Sequence, residues 1–167
     1  MNDKEKMEIA IEHGMKLKNE LEFSYNWMSL ENIDRLWVIK LKDDEIKNER
    51  VTAFCARFGK FQDYLSDKII PRWLIASGER AGVAMENFSI AERAGILSIS
   101  SERMIEIRKL RNDLTHDYIE DPEELAADLN EILSATKLLI QTLDNLVNHY
   151  NRVIACQGIS KGQVSSC

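Results

Sequence analysis

The chain has 167 residues, 44% hydrophobic and 30% charged, which suits one folded domain and excludes disorder throughout. Seven glycines and two prolines are too few for the turns of an all-β fold. A net charge of -6 with a pI near 5.2 excludes a protein that coats duplex nucleic acid with its whole surface, so any nucleic-acid contact is confined to a cleft.

The N-terminal stretch MNDKEKMEIAIEHG is charged and lacks the apolar core of a signal peptide. Apolar residues of Asp3 to Trp27, among them Met7, Ile11, Met15 and Leu21, recur at three- or four-residue steps and predict a helix. Ser29 reads as the start of a short helix reaching Val38. Residues 47–76 predict a second long helix, with Val51, Phe54, Phe58, Phe61 and Leu65 in helical rhythm and a kink or end at Pro71. Gly78 to Ile99 reads as loop, with a helical turn near Ser89–Ala94. Ser100 or Ser101 is the expected cap of a third long helix through Met104, Ile107, Leu110, Leu114 and Ile119. Asp121-Pro122-Glu123-Glu124 gives the cleanest boundary: Asp caps, Pro fits the first helical position and Glu124 stands where a capping-box acid belongs. The last helix carries an apolar stripe from Leu125 to Tyr150.

The expected architecture is therefore all-α: an antiparallel bundle of four main helices with short extra helices, spanning residues 1–154, followed by a flexible tail at 155–167. No stretch approaches the roughly 18 apolar residues of a membrane span. Three cysteines, Cys55, Cys156 and Cys167, form neither a disulfide framework nor a zinc-ligand pattern, and their odd number suits a reducing cytoplasm.

The chemistry concentrates in residues 108–118, RKLRNDLTHDY. Arg111 and His116 are five residues apart, about 140° around an ideal helix, so they do not form an i, i+4 metal pair. Both can border one groove, and a two-fold partner would bring two Arg–His sets into one cleft. An arginine and a histidine without a nucleophile or metal cluster suit RNA cleavage. The 2′-hydroxyl of RNA is the nucleophile, histidine moves a proton near neutral pH and arginine stabilises charge on the phosphate. Such cleavage leaves a 2′,3′-cyclic phosphate and a 5′-hydroxyl and needs neither metal nor cofactor. The same spacing also fits a solvated arginine and a histidine that caps helix carbonyls.

Two other features bear on a cleft. Arg103, Arg108, Lys109 and Arg111 form a basic strip before His116, against Glu102 and Glu106, which could focus a phosphate. The stretch ARFGKFQD places Arg57 and Asp63 on the second long helix, where Asp63 could pair with a cleft arginine from the facing helix and Arg57 could support it. His13 and His149 lack partners in the sequence and are assigned to the surface. Trp27, Trp37 and Trp73 are assigned to core or interface.

The segment LRNDLTHDY resembles the motif of the HEPN superfamily, small α-helical bundles of which many are metal-independent ribonucleases. Its Arg-x4-His-x-Tyr form resembles the HepT-type toxins, which are paired with a minimal nucleotidyltransferase antitoxin resembling MntA. Arg111, Asn112, His116 and Tyr118 match that motif, and the resemblance in helix pattern covers roughly residues 47–150. It implies a cytoplasmic homodimer whose cleft holds Arg111 and His116, with Asn112 orienting the histidine or touching ribose. It implies an endoribonuclease toxin of a type VII-like HEPN/MNT toxin–antitoxin system, acting on an RNA such as a tRNA or mRNA. Tyr118 would be the hydroxyl that the antitoxin adenylylates (AMPylation). Two alternatives stand beside it: a non-catalytic HEPN partner that binds nucleotide or substrate for a nucleotidyltransferase, and a helical interaction module in which the motif is a coincidence.

Overall fold

The computed structural model describes residues 1–115 and 120–157, and among these every regular element is helical. The order is α1 (Asp3–Met28), α2 (Arg35–Lys40, continued by a 3₁₀ turn at Leu41–Asp43), α3 (Glu45–Tyr64), a π-helical turn (Leu65–Ile69), α4 (Ile70–Ala76), α5 (Ala84–Arg93), α6 (Ser101–Thr115) and α7 (Pro122–His149), which runs into a second π turn (Tyr150–Ala155). The expected all-α bundle is what the chain forms. α1 packs along α3 and α4, α6 lies against α3, α5 and α7, and α7 covers α2 and α1.

Its start and stop signals are local chemistry. Asn2 caps α1 with a capping box: its side chain accepts from the Glu5 N–H and the Glu5 carboxylate accepts from the Asn2 N–H. Ser29 does not open the next helix. Its N–H closes the last turn of α1 on the Tyr25 carbonyl at 2.8 Å and its backbone stays helical, whereas a cap must be extended. The extended Asp34 is the cap instead, accepting from Trp37 N–H, so α2 begins six residues after Ser29.

Helical structure continues through Pro71 to Ala76, with a π turn placed just before the proline. Proline has no N–H and its ring clashes with the carbonyl four residues back. The wider turn at Leu65–Ile69, with the Ile70 N–H bonding Leu65, opens the ladder just before that ring. Gly78, with φ of 84°, then ends α4: the N–H of Glu79 reaches back to the Leu74 carbonyl.

The segment expected to be mostly loop contains the ten-residue α5. Its start is hard to read because Val83 offers no capping side chain. Asn87, one turn inside, fastens both the N–H and the carbonyl of Gly82 instead. Gly95, with φ of 74°, is its C-terminal stop. Of the two serine candidates, Ser100 caps α6, accepting from Arg103 N–H at 3.1 Å, while the Ser101 N–H donates to Glu92. Asp121 caps α7 as expected, accepting from Glu123 N–H. Helix persists past Ile154 to Gln157, and residues 158–167, most of the expected tail, lie outside the described residues.

The core is built on Phe54, Phe58 and Phe61 of α3 against Met7, Leu21 and Met28 of α1 and Leu139, Leu143 and Leu146 of α7, all essentially buried. Each buried phenylalanine contributes at most about 1.5–3 kcal/mol by removing apolar area from water. Thr136 and Thr142 are also buried; each hydroxyl bonds a carbonyl four residues back, so neither leaves an unmet donor.

His149 is not a plain surface residue. Trp73, itself buried, donates from Nε1 to His149 Nδ1 at 3.0 Å, and the two rings meet edge to face. Burial, and then the Arg152 charge, hold the His149 pKa below its ordinary value. Folding thus favours the neutral imidazole, and the unfolded chain binds the proton more tightly. The resulting stability is present above the unfolded value of about 6.5 and is lost as pH falls through and below it. We expect the melting temperature to drop between pH 7.5 and pH 5.5 by more in the wild type than in His149→Gln. Equal drops would show that this imidazole does not couple to folding.

Candidate functional site

α6 is tied by two ion pairs to α3 and to the π turn that continues it. Arg111 Nη2 donates to Asp63 Oδ2 at 2.6 Å, and one turn earlier on α6 Arg108 Nη2 donates to both Asp67 oxygens at 3.2 and 3.3 Å. The two helices run antiparallel here, so three residues back on α6 answers four residues forward on the other side. Asn112 Oδ1 accepts from Arg111 Nη1 at 2.8 Å. The guanidinium is thereby held from two directions, with its side chain only 24% exposed.

A third contact, again on α3, sets its position. A Cβ built on Gly59 would stand 2.7 Å from Arg111 Nε and 3.4 Å from its Cζ. The arginine therefore lies directly on the bare backbone of α3. Gly59 and Asp63 are four residues apart, on one face of α3, so the glycine makes the seat and the aspartate the grip.

Of the residues singled out in the sequence, Arg111, Asn112 and Asp63 come together here. Arg57 does not join them. It points to α1, donating to the Ser24 hydroxyl at 2.8 Å and the Glu20 carbonyl, with its charge over the Phe23 ring. His116 and Tyr118 lie outside the described residues. The basic strip is largely cancelled: Arg103 pairs with Glu106 and Glu131, Arg108 with Asp67 and Arg111 with Asp63. Its arginines therefore act as local donors more than as a long-range field.

Gly59 was missed, although a glycine inside a helix costs about 1 kcal/mol and calls for a packing reason. Asp67 was missed too; nothing in its spacing distinguishes it from a solvated acid. The tryptophans differ from one another. Trp73 is buried, half-buried Trp37 donates to Glu31, and Arg50 sits over the Trp27 ring at 4.5 Å.

Other chemistry is limited among the described residues. No group of three or more His, Cys, Asp or Glu side chains gathers as metal ligands. Burial pushes the Cys55 thiol up to about 11, so it stays protonated and is a poor nucleophile at neutral pH. No helix there is long and apolar enough to cross a membrane. No protein-family model matches this chain, and no curated protein or solved structure gives a significant match.

Proposed function

We propose that the protein is a metal-independent endoribonuclease of the HepT-like HEPN kind, acting as a homodimeric toxin restrained by a minimal nucleotidyltransferase. The observation that carries this reading is the seated arginine. The Arg111 of the Arg-Asn-x3-His-x-Tyr segment is gripped by Asp63 and Asn112 and laid on Gly59. A solvated surface arginine needs no such fixing. A cation held in one orientation is what stabilising a pentacoordinate phosphate requires, because preorganised charge costs no reorganisation when the reaction occurs.

In this reading the RNA 2′-hydroxyl attacks the adjacent phosphorus while His116 accepts its proton. Negative charge grows on the non-bridging oxygens opposite Arg111. The 5′-oxygen then leaves and takes up a proton, giving a 2′,3′-cyclic phosphate and a 5′-hydroxyl. Asp63 keeps the guanidinium aimed before substrate arrives, and the phosphate shares that charge on binding.

Purified protein incubated with single-stranded RNA in excess EDTA should release fragments with cyclic phosphate ends. Activity lost on chelation and restored by magnesium would refute the mechanism. Intact RNA under all conditions would leave the nucleotide-binding subunit as the better account.

Regulation supplies a separate check. Adenylylation of Tyr118 would add bulk and negative charge near a site made for phosphate. Tyr118→Phe is therefore expected to cleave RNA like the wild type but to take up no AMP from the partner nucleotidyltransferase, read as mass increments of the intact protein. Undiminished AMP uptake by Tyr118→Phe would move the acceptor elsewhere.

A further inference from the structure

A groove of about 330 Å³ runs between α1 and the end of α3, on the side where Asp63 and Asp67 stand. Its walls carry His13 of α1, Lys60 and Tyr64 of α3, and Lys68 of the π turn, with Leu17 at its floor. Both carboxylates that line it are already answered from α6, Asp63 by Arg111 and Asp67 by Arg108. Among the described residues, neither Lys60 nor Lys68 is in an ion pair, and both are exposed. Counting two lysines and two arginines against two aspartates leaves the groove and its rim at +2, on a protein whose net charge is -6.

The groove also offers aromatic surface. His13 and Tyr64 meet with ring centroids 4.5 Å apart and planes at 67°, forming a corner of two rings. His13 is exposed and Tyr64 half-buried, so the corner opens to solvent. Cations flanking exposed rings are the chemistry of single-stranded nucleic acid binding: the lysines meet phosphates, and a base stacks on a ring at a gain of about 1–3 kcal/mol. Lys60 and Lys68 are separated by roughly 12 Å of helix rise, which leaves the rings between them.

We infer that this groove is a single-stranded RNA subsite, in which Lys60 and Lys68 bind phosphates and the His13–Tyr64 corner stacks a base of the strand that continues from the phosphate at Arg111. Asp63 joins the two places, lining the groove while it grips Arg111. The choice of RNA as ligand rests on the ribonuclease reading above. The subsite supplies affinity and register; His13 is a positioning residue in it, distinct from the proton-transfer role given to His116.

The test measures binding without cleavage. A fluorescent 2′-O-methyl RNA 12-mer of mixed sequence lacks the attacking hydroxyl, so its anisotropy reports association alone. The doubly substituted Lys60→Glu, Lys68→Glu protein should bind it at least tenfold more weakly. Its log Kd should depend less steeply on log salt, by about 1.4, the loss of two single-strand phosphate contacts. His13→Ala should weaken binding by about fivefold or more with the salt slope unchanged. A control with the same charge change on other faces, Lys42→Glu with Lys137→Glu, should stay within twofold of the wild type. Wild-type protein that does not bind the 12-mer, or groove variants that bind no worse than the control, would overturn the subsite. Cleavage of ordinary RNA is scored separately. Groove-dependent binding with no cleavage sinks the ribonuclease reading and spares the subsite; cleavage with groove-independent binding does the reverse.

Discussion

His116→Ala and Arg111→Ala are each expected to lower the rate of RNA cleavage by roughly 10²-fold or more, while the protein still folds and associates as the wild type does. The size follows from what each group supplies. Histidine is the one side chain of the motif that titrates near neutral pH, and without it the 2′-hydroxyl must lose its proton to water. Arginine supplies a fixed positive charge where the transition state gains negative charge. Stability should change by about 1 kcal/mol or less in either variant. For Arg111 this rests on geometry: its partner Asp63 is 40% exposed, so water replaces the lost guanidinium and no charge is stranded in the core. In a strain that the wild type poisons, both variants should restore growth at equal protein levels. Wild type and His116→Ala that leave a mixed RNA equally intact, with equal growth, would defeat the toxin reading. A nucleotide-binding subunit would then be indicated if Arg111→Ala alone lost affinity for nucleotide.

Much of the fold was legible because its signals are local. The periodic apolar positions of α1 and α7 give those helices nearly to the residue. Asp121-Pro122 marks a boundary through one cap and one missing N–H. What failed to show depends on contacts between distant segments. Ser29 and Asp34 are both good caps in isolation; the choice fell to Asp34 because Ser29 keeps helical backbone angles as the last turn of α1 closes on it, whereas Asp34 is extended. α5 hid behind small residues because its start is secured from inside by Asn87.

The candidate site divides the same way. The motif drew attention to Arg111 and Asn112, and Asp63 stood as a possible ion-pair partner on the facing helix. Arg57 was grouped with Asp63 by nearness in sequence, yet six residues on a helix is about 120° around the axis, so the two face different neighbours. Gly59, by contrast, is four residues before Asp63 and shares its face. The sequence contains that relation, but only the packing of α6 against α3 gives it meaning.

Gly59→Ala follows from that packing and is expected to separate stability from activity. Alanine in a helix interior is favoured over glycine by about 0.5–1 kcal/mol, so backbone propensity acts to stabilise the variant. The added Cβ, however, would lie 2.7 Å from Arg111 Nε, closer than the atoms tolerate. What stands in its way is the far part of a flexible side chain, so the guanidinium moves and α3 does not. A displacement on the order of 1 Å at a charge that must face a phosphate can cost up to about 10²-fold. We therefore expect Gly59→Ala to melt within a few degrees of the wild type, or above it, and to cleave RNA at least tenfold more slowly. Asp63→Asn should slow cleavage in the same direction, since it weakens the grip while keeping the shape. Gly59→Ala acting as fast as the wild type would show that the seat on α3 has no part in placing Arg111, and the geometric case for the site would go with it.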